Sequence, residues 1–102
     1  MNELEQLQQW YFSQCDGDWE HEFSITINTL DNPGWRIEID LDGTDLEQKS
    51  FSVLEKGTGK ESVMDSTDWF HCKVENQKFM GACGPFHLTT VLEIFLNWKM
   101  SS

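Results

Sequence analysis

Cys15-Asp16-Gly17-Asp18-Trp19-Glu20-His21-Glu22 sets four carboxylates, a thiol and an imidazole around one tryptophan. Three chemistries use such a set: cation binding, attack by a thiolate, and display of charge to a protein partner. An EF-hand calcium loop needs Gly at its sixth position and Glu at its twelfth. Counted from Asp16, those positions hold His21 and Ile27, so the stretch reads as a solvated acidic loop. A Cys15–His21 pair lacks the basic neighbour that activates a thiol and any group to hold an oxyanion. Trp19, between Asp18 and Glu20, divides evenly between two roles. Tryptophan is well buried on average, yet it is also enriched among the residues that dominate interfaces.

Other chemistry is weaker still. Gly57-Thr58-Gly59-Lys60 resembles the tail of a phosphate loop, but Leu54 and Glu61 stand where that pattern wants Gly and Ser or Thr. It reads as a connection between strands. His71, Cys72, Cys83 and His87 lack the paired short spacing of a zinc site. Cys72 alternates with Phe70 and Val74, as a buried thiol does. No catalytic residue, metal or cofactor is therefore assigned.

Charge says more. Residues 1–48 hold twelve acids and one base, Arg36. Residues 49–102 hold six acids and six lysines, so the net charge of −11 belongs wholly to the first half. Phosphate binding needs clustered Lys and Arg, so nucleic acid is not expected as a partner. A one-sided acidic field instead steers a basic partner toward one face. No membrane span or leader is visible, and an odd count of three cysteines makes no disulfide framework, which predicts a reduced, cytoplasmic setting. A chain of 102 residues, 38% hydrophobic, predicts one domain over residues 1–102 with one modest core.

The acids need elements to position them. Leu4, Leu7, Trp10 and Tyr11 recur at helical spacing, which predicts a helix over 3–14 capped by Asn2 and stopped at Asp16-Gly17. Phe23, Ile25 and Ile27, then Trp35, Ile37, Ile39 and Leu41, alternate as two strands. Pro33-Gly34 suits the centre of a type II turn between them. Keeping the apolar sides together predicts Asn28 by Arg36, Thr26 by Glu38, Ser24 by Asp40 and Glu22 by Asp42. Like charges would then meet at the open end of that hairpin, a destabilising arrangement. Phe51 and Val53 suggest a third strand, Phe70 to Val74 a fourth, and Phe79 to Ala82 a fifth, with the last turn at Asn76-Gln77-Lys78. Pro85 precedes a final helix over 86–100, apolar on so many sides that the sheet and first helix, or a second subunit, must cover it.

Trp10-Tyr11, the stretch from Gln14 to His21, Thr29-Leu-Asp-Asn-Pro-Gly-Trp35 and Asp40-Leu-Asp-Gly-Thr44 together resemble the immunity protein 53 family. Asp68-Trp69, Cys72, Gly84-Pro85 and the closing helix near Trp98 are similar to it as well, so the resemblance spans nearly the whole chain. It departs at Ser24, where a Gly is expected. The resemblance implies a small bacterial cytosolic protein, encoded beside a polymorphic toxin, that protects by binding the toxin domain and catalyses nothing. An acidic inhibitor suits a toxin with a basic substrate-binding face, as a nuclease has.

These readings predict an α+β fold: an antiparallel sheet of about five strands flanked by an N-terminal and a C-terminal helix, both mainly on one face. The predicted toxin contact is Asp16, Asp18, Trp19, Glu20 and Glu22, extended by Glu38, Asp40 and Asp42. The alternatives are a small thiol-dependent enzyme and a regulatory homodimer formed through the final helix.

Overall fold

Asn2 starts the first helix with a reciprocal capping box. Its side chain accepts from the Glu5 N–H at 2.8 Å, and its own N–H donates to the Glu5 carboxylate at 3.1 Å. A computed structural model describes residues 2–57 and 67–101 of the chain. Within them α1 runs Glu3–Gln14 and gives way at Cys15, whose backbone is extended. Of the glycine-rich stretch named above, Thr58, Gly59 and Lys60 lie outside the described residues.

A single helical turn, α2 (Trp19–Glu22), follows where the alternation already suggested strand. Strand β1 therefore begins later and spans Ile25–Leu30, paired with β2 (Gly34–Asp40). The register is the expected one, with Thr26 opposite Glu38 and Asn28 opposite Arg36. Ser24 also lies by Asp40, exchanging a backbone bond with it at 3.1 Å. Glu22, by contrast, is helical, so it does not stand opposite Asp42 in a ladder as predicted. The turn differs too. Leu30 pairs with Gly34, which leaves Asp31-Asn32-Pro33 as the loop. Gly34 belongs to the strand, and it is Gly because a Cβ would collide with the carbonyl oxygen of Cys83.

The remaining strands are β3 (Leu54–Lys56), β4 (Phe70–Glu75) and β5 (Lys78–Cys83), and the sheet order is β1-β2-β5-β4-β3, antiparallel throughout. Phe51 and Val53 fall before β3 rather than in it. Phe51 turns inward instead, edge-on to Phe79 at 5.5 Å and Trp98 at 5.3 Å, because ring packing there outweighs strand pairing. The β4–β5 turn has Asn76 and Gln77 at φ 55° and 59°, the double left-handed turn that suits a right-twisted hairpin. The final helix, α3, spans Leu88–Met100, two residues later than its sequence suggested.

Both helices cover one face of the sheet. Ile37, Ile39, Cys72, Phe79 and Cys83 meet Val91, Leu92, Phe95 and Leu96 of α3, and Leu7 and Trp10 of α1 complete the cluster. The sheet and α1 thus take up the wide apolar surface of α3. The opposite face is open, with Glu38, Asp40, Met80 and Lys73 on it. Close approach of α3 depends on Gly81: a Cβ there would lie 2.5 Å from Val91 Cγ1 and 3.1 Å from Ile37 Cγ2. Overpacking of that kind costs about 1–3 kcal/mol. Chemical denaturation of Gly81→Ala should show a loss in that range, and adding Val91→Ala should make the Gly81→Ala penalty smaller. Equal penalties in both backgrounds would show that the helix does not press on Gly81.

Candidate functional site

The acidic residues are displayed by segments that tryptophans hold in place. Residues 41–50 link β2 toward β3 without regular structure. Three indole N–H groups grip them: Trp10 donates to the Asp45 carboxylate at 3.1 Å, Trp19 to the Asp42 carbonyl at 2.9 Å, and Trp98 to the Ser50 carbonyl at 2.8 Å. Thr44, buried, closes the segment on itself by donating to the Leu41 carbonyl at 2.6 Å and accepting from the Leu46 N–H at 3.1 Å. A surface loop fixed at so many points carries little residual freedom to lose on binding.

Trp19 is only 5% exposed, so the structure resolves its two roles toward the core. Its ring lies 6.4 Å from Trp10, 6.0 Å from Tyr11 and 6.2 Å from Phe23. It presents almost no surface of its own, and its indole ties the Asp42 carbonyl to α2. Asp16 and Glu20 also turn out to be internal braces. The Asp16 carboxylate accepts from the backbone N–H groups of Asp18 and Trp19, both at 2.9 Å. Glu20 returns the favour, accepting from the N–H groups of Asp16 and Gly17, again at 2.9 Å.

These bonds tune the carboxyls. The Trp19 N–H, then that of Asp18, holds Asp16 below its usual 3.8, while Glu20 is held below 4.5 by its own backbone N–H and those of Asp16 and Gly17. Two of the predicted residues lie farther along β2, on the open face. Glu38 approaches Arg36 at 3.7 Å, and Asp40 approaches Lys78 at 3.5 Å while accepting from the Ser24 N–H at 2.9 Å. Asp18, Glu22 and Asp42 are exposed, and among the described residues none has a Lys or Arg within ion-pair reach. Besides the brace Asp16, these three of the eight predicted residues combine exposure with the lack of such a neighbour.

The thiols and histidines are spread along the chain, from the end of α1 through α2, β4 and β5 to the start of α3. Cys72 and Cys83 are buried, and burial pushes Cys72 up to about 12 and Cys83 upward as well. Cys15 donates to the Tyr11 carbonyl at 3.4 Å. His87 lies 2.7 Å from the Asp68 carboxylate and 3.1 Å from the Thr90 hydroxyl, a small polar string that pins the start of α3 to the start of β4. That string carries no periodic signal in the sequence, since Asp68 lies 19 residues before His87. Among the described residues no group of three His, Cys, Asp or Glu is placed to hold a metal ion.

Two outcomes follow from this geometry. Trp19→Phe keeps the ring and loses the indole donor, a change worth about 1 kcal/mol, whereas Trp19→Ala should cost about 3–5 kcal/mol by emptying the site. Equal unfolding midpoints for the two variants would show that the ring is not packed as described. Because Asp16 and Glu20 ionise at lower pH folded than unfolded, their contribution is full above pH 5 or so and fades as pH falls through about 4 and below. Thermal melts between pH 7 and pH 3 should therefore show a smaller acid-induced drop for Asp16→Asn/Glu20→Gln than for the wild type.

Comparison with known proteins agrees with this picture at the level of family. No curated protein and no solved structure gives a match. The family model described as immunity protein 53 matches residues 4–100, from the second residue of α1 to the last residue of α3. The match takes in the tryptophan-braced acidic loop and all five strands, and on that coverage the chain belongs to the immunity protein 53 family.

Proposed function

We propose that this chain neutralises a cognate toxin domain by stoichiometric occlusion, binding a basic face of the toxin with the acidic end of its sheet. Membership of an immunity family supports a protein that acts by binding a toxin rather than by turnover. The observation that carries the finer reading is where the charge goes on folding. The acid-rich first half forms α1, α2, β1, β2 and the 41–48 segment, and the sheet order keeps β1 and β2 together at one edge. The lopsided charge of the sequence thus becomes a lopsided charge in space. A nuclease, whose active face attracts phosphate, has the complementary surface. The producing cell's cytoplasm is where such protection is needed.

Within this reading Asp18, Glu22 and Asp42 make the central contacts, Asp16 and Glu20 set the loop that carries them, and Glu38 and Asp40 extend the surface onto the open face. Each of the last two has a base nearby, Arg36 at 3.7 Å from Glu38 and Lys78 at 3.5 Å from Asp40, which a partner's Lys or Arg displaces. Burial of Cys72 and Cys83 disfavours their thiolate forms, which supports binding over a thiol-dependent reaction at those two residues.

The test is calorimetric titration of the neighbouring toxin domain with wild type and with Asp18→Asn/Glu22→Gln/Asp42→Asn, at one low salt concentration. One-to-one binding, weakened tenfold or more in the triple variant, is the expected result. A triple variant that is folded and binds as tightly as wild type would contradict the acidic contact.

A further inference from the structure

The two edges of the sheet are built differently. Strand β3 is three residues long and carries Glu55 and Lys56. Strand β1 has six residues, Ile-Thr-Ile-Asn-Thr-Leu, with neither charge nor proline, in a chain that is 25% charged. Its ladder to β2 runs unbroken from Ile25 to Leu30, so no bulge twists the edge away. Exposed edges recruit other strands, and proteins blunt them with charge, proline, bulges or short length. The β3 edge uses two of these devices and the β1 edge uses none.

The ladder also says which backbone groups face outward. The Asp40 N–H donates to the Ser24 carbonyl at 3.1 Å, which makes that couple a hydrogen-bonded pair. By alternation Thr26 and Asn28 point their N–H and C=O groups at β2, while Ile25, Ile27 and Thr29 point theirs out of the sheet. Among the described residues no strand pairs with that side. Ile27 is 37% exposed, and next to it a groove of about 290 Å³, lined by Leu7, Gln8, Tyr11, Ser24 and Ile25, separates α1 from the strand. An edge with outward donors and an apolar slot beside it suits an extended peptide with alternating side chains.

Charge selects the occupant. A second copy would bring together two chains of net charge −11 along their acidic halves. Glu22 precedes β1 and Asp31 follows it, so both ends of the edge favour Lys or Arg. We infer that a basic protein partner docks by adding an extended strand to β1, pairing with the backbone of Ile25, Ile27 and Thr29 and seating an apolar side chain in the groove between Tyr11 and Ile25. That the partner is the toxin rests on the function proposed above; the mode of docking is a separate claim.

Hydrogen exchange of the full chain, alone and saturated with the neighbouring toxin domain, tests it. The Ile25, Ile27 and Thr29 amides should slow at least tenfold in the complex; exchange at the free rate overturns strand addition while leaving the immunity reading intact. Proline is tolerated at an edge position whose N–H faces solvent, so Ile27→Pro should fold yet bind at least tenfold more weakly, with Ile27→Val close to wild type. A folded Ile27→Pro variant of undiminished affinity also overturns it, and if that variant does not fold the exchange result decides. Slowing of the same amides as the chain alone is concentrated would assign the edge to a second copy and overturn the basic partner. No binding of the toxin domain by wild type would remove both claims.

Discussion

Three indole N–H bonds to one irregular segment hold this fold in order. Residues 41–50 cross from β2, next to one edge of the sheet, toward the far edge with no ladder or helix of their own. Backbone groups in such a segment must find partners or stay in water. Trp19 and Trp98 donate to its carbonyls at Asp42 and Ser50, and Trp10 to the Asp45 side chain, so α1 and α3 are stapled to the same ten residues. Each bond has the modest net worth of any hydrogen bond, about 1 kcal/mol. Their larger effect is positional, because each indole also buries a wide ring. Trp10 stacks edge-on with Phe95 at 5.2 Å, tying α1 to α3 through the same residue that grips Asp45.

Around that brace the chain separates into two regions of different character. The β1–β2 hairpin, α1 and the 41–48 segment form an acidic end; β3, β4, β5 and α3 form a nearly neutral remainder. The join is the β2–β5 ladder, where the fold demands small residues. Gly34 admits the Cys83 carbonyl and Gly81 leaves room for the Ile37 side chain, so the two regions approach closely. The acids therefore sit on a rigid support, and the proposed binding surface is preorganised.

Much of this was legible in the residues. The periodicity of α1, the capping role of Asn2, the hairpin register and the α+β class all follow from local patterns that act within a few residues. The failures share a cause. Alternation alone extended β1 back to Glu22, because nothing in a period of two reveals that Asp16 caps a helical turn at Trp19. The Pro33-Gly34 pair suggested a type II turn, yet Gly34 answers to a carbonyl on β5, a partner 49 positions away in sequence. Phe51 looked like strand and is a ring in the core. Trp19 could not be placed from its polar neighbours, since its indole partner, the Asp42 carbonyl, lies 23 residues on. The candidate site was legible as a concentration of charge. Which acids brace the loop and which face outward was not, because that depends on backbone N–H groups whose direction the sequence does not encode.

An acidic, prebuilt surface has a kinetic signature that separates it from an apolar interface of equal strength. Complementary charge speeds encounter, and salt removes the advantage without touching the packed contacts. Stopped-flow association with the toxin domain across a range of salt is the most direct measurement. The account predicts a rate constant near about 10⁸ M⁻¹s⁻¹ at low salt that falls toward about 10⁵–10⁶ as salt rises, with dissociation changing little. An association rate indifferent to salt would contradict it and would place the contact away from the acidic end.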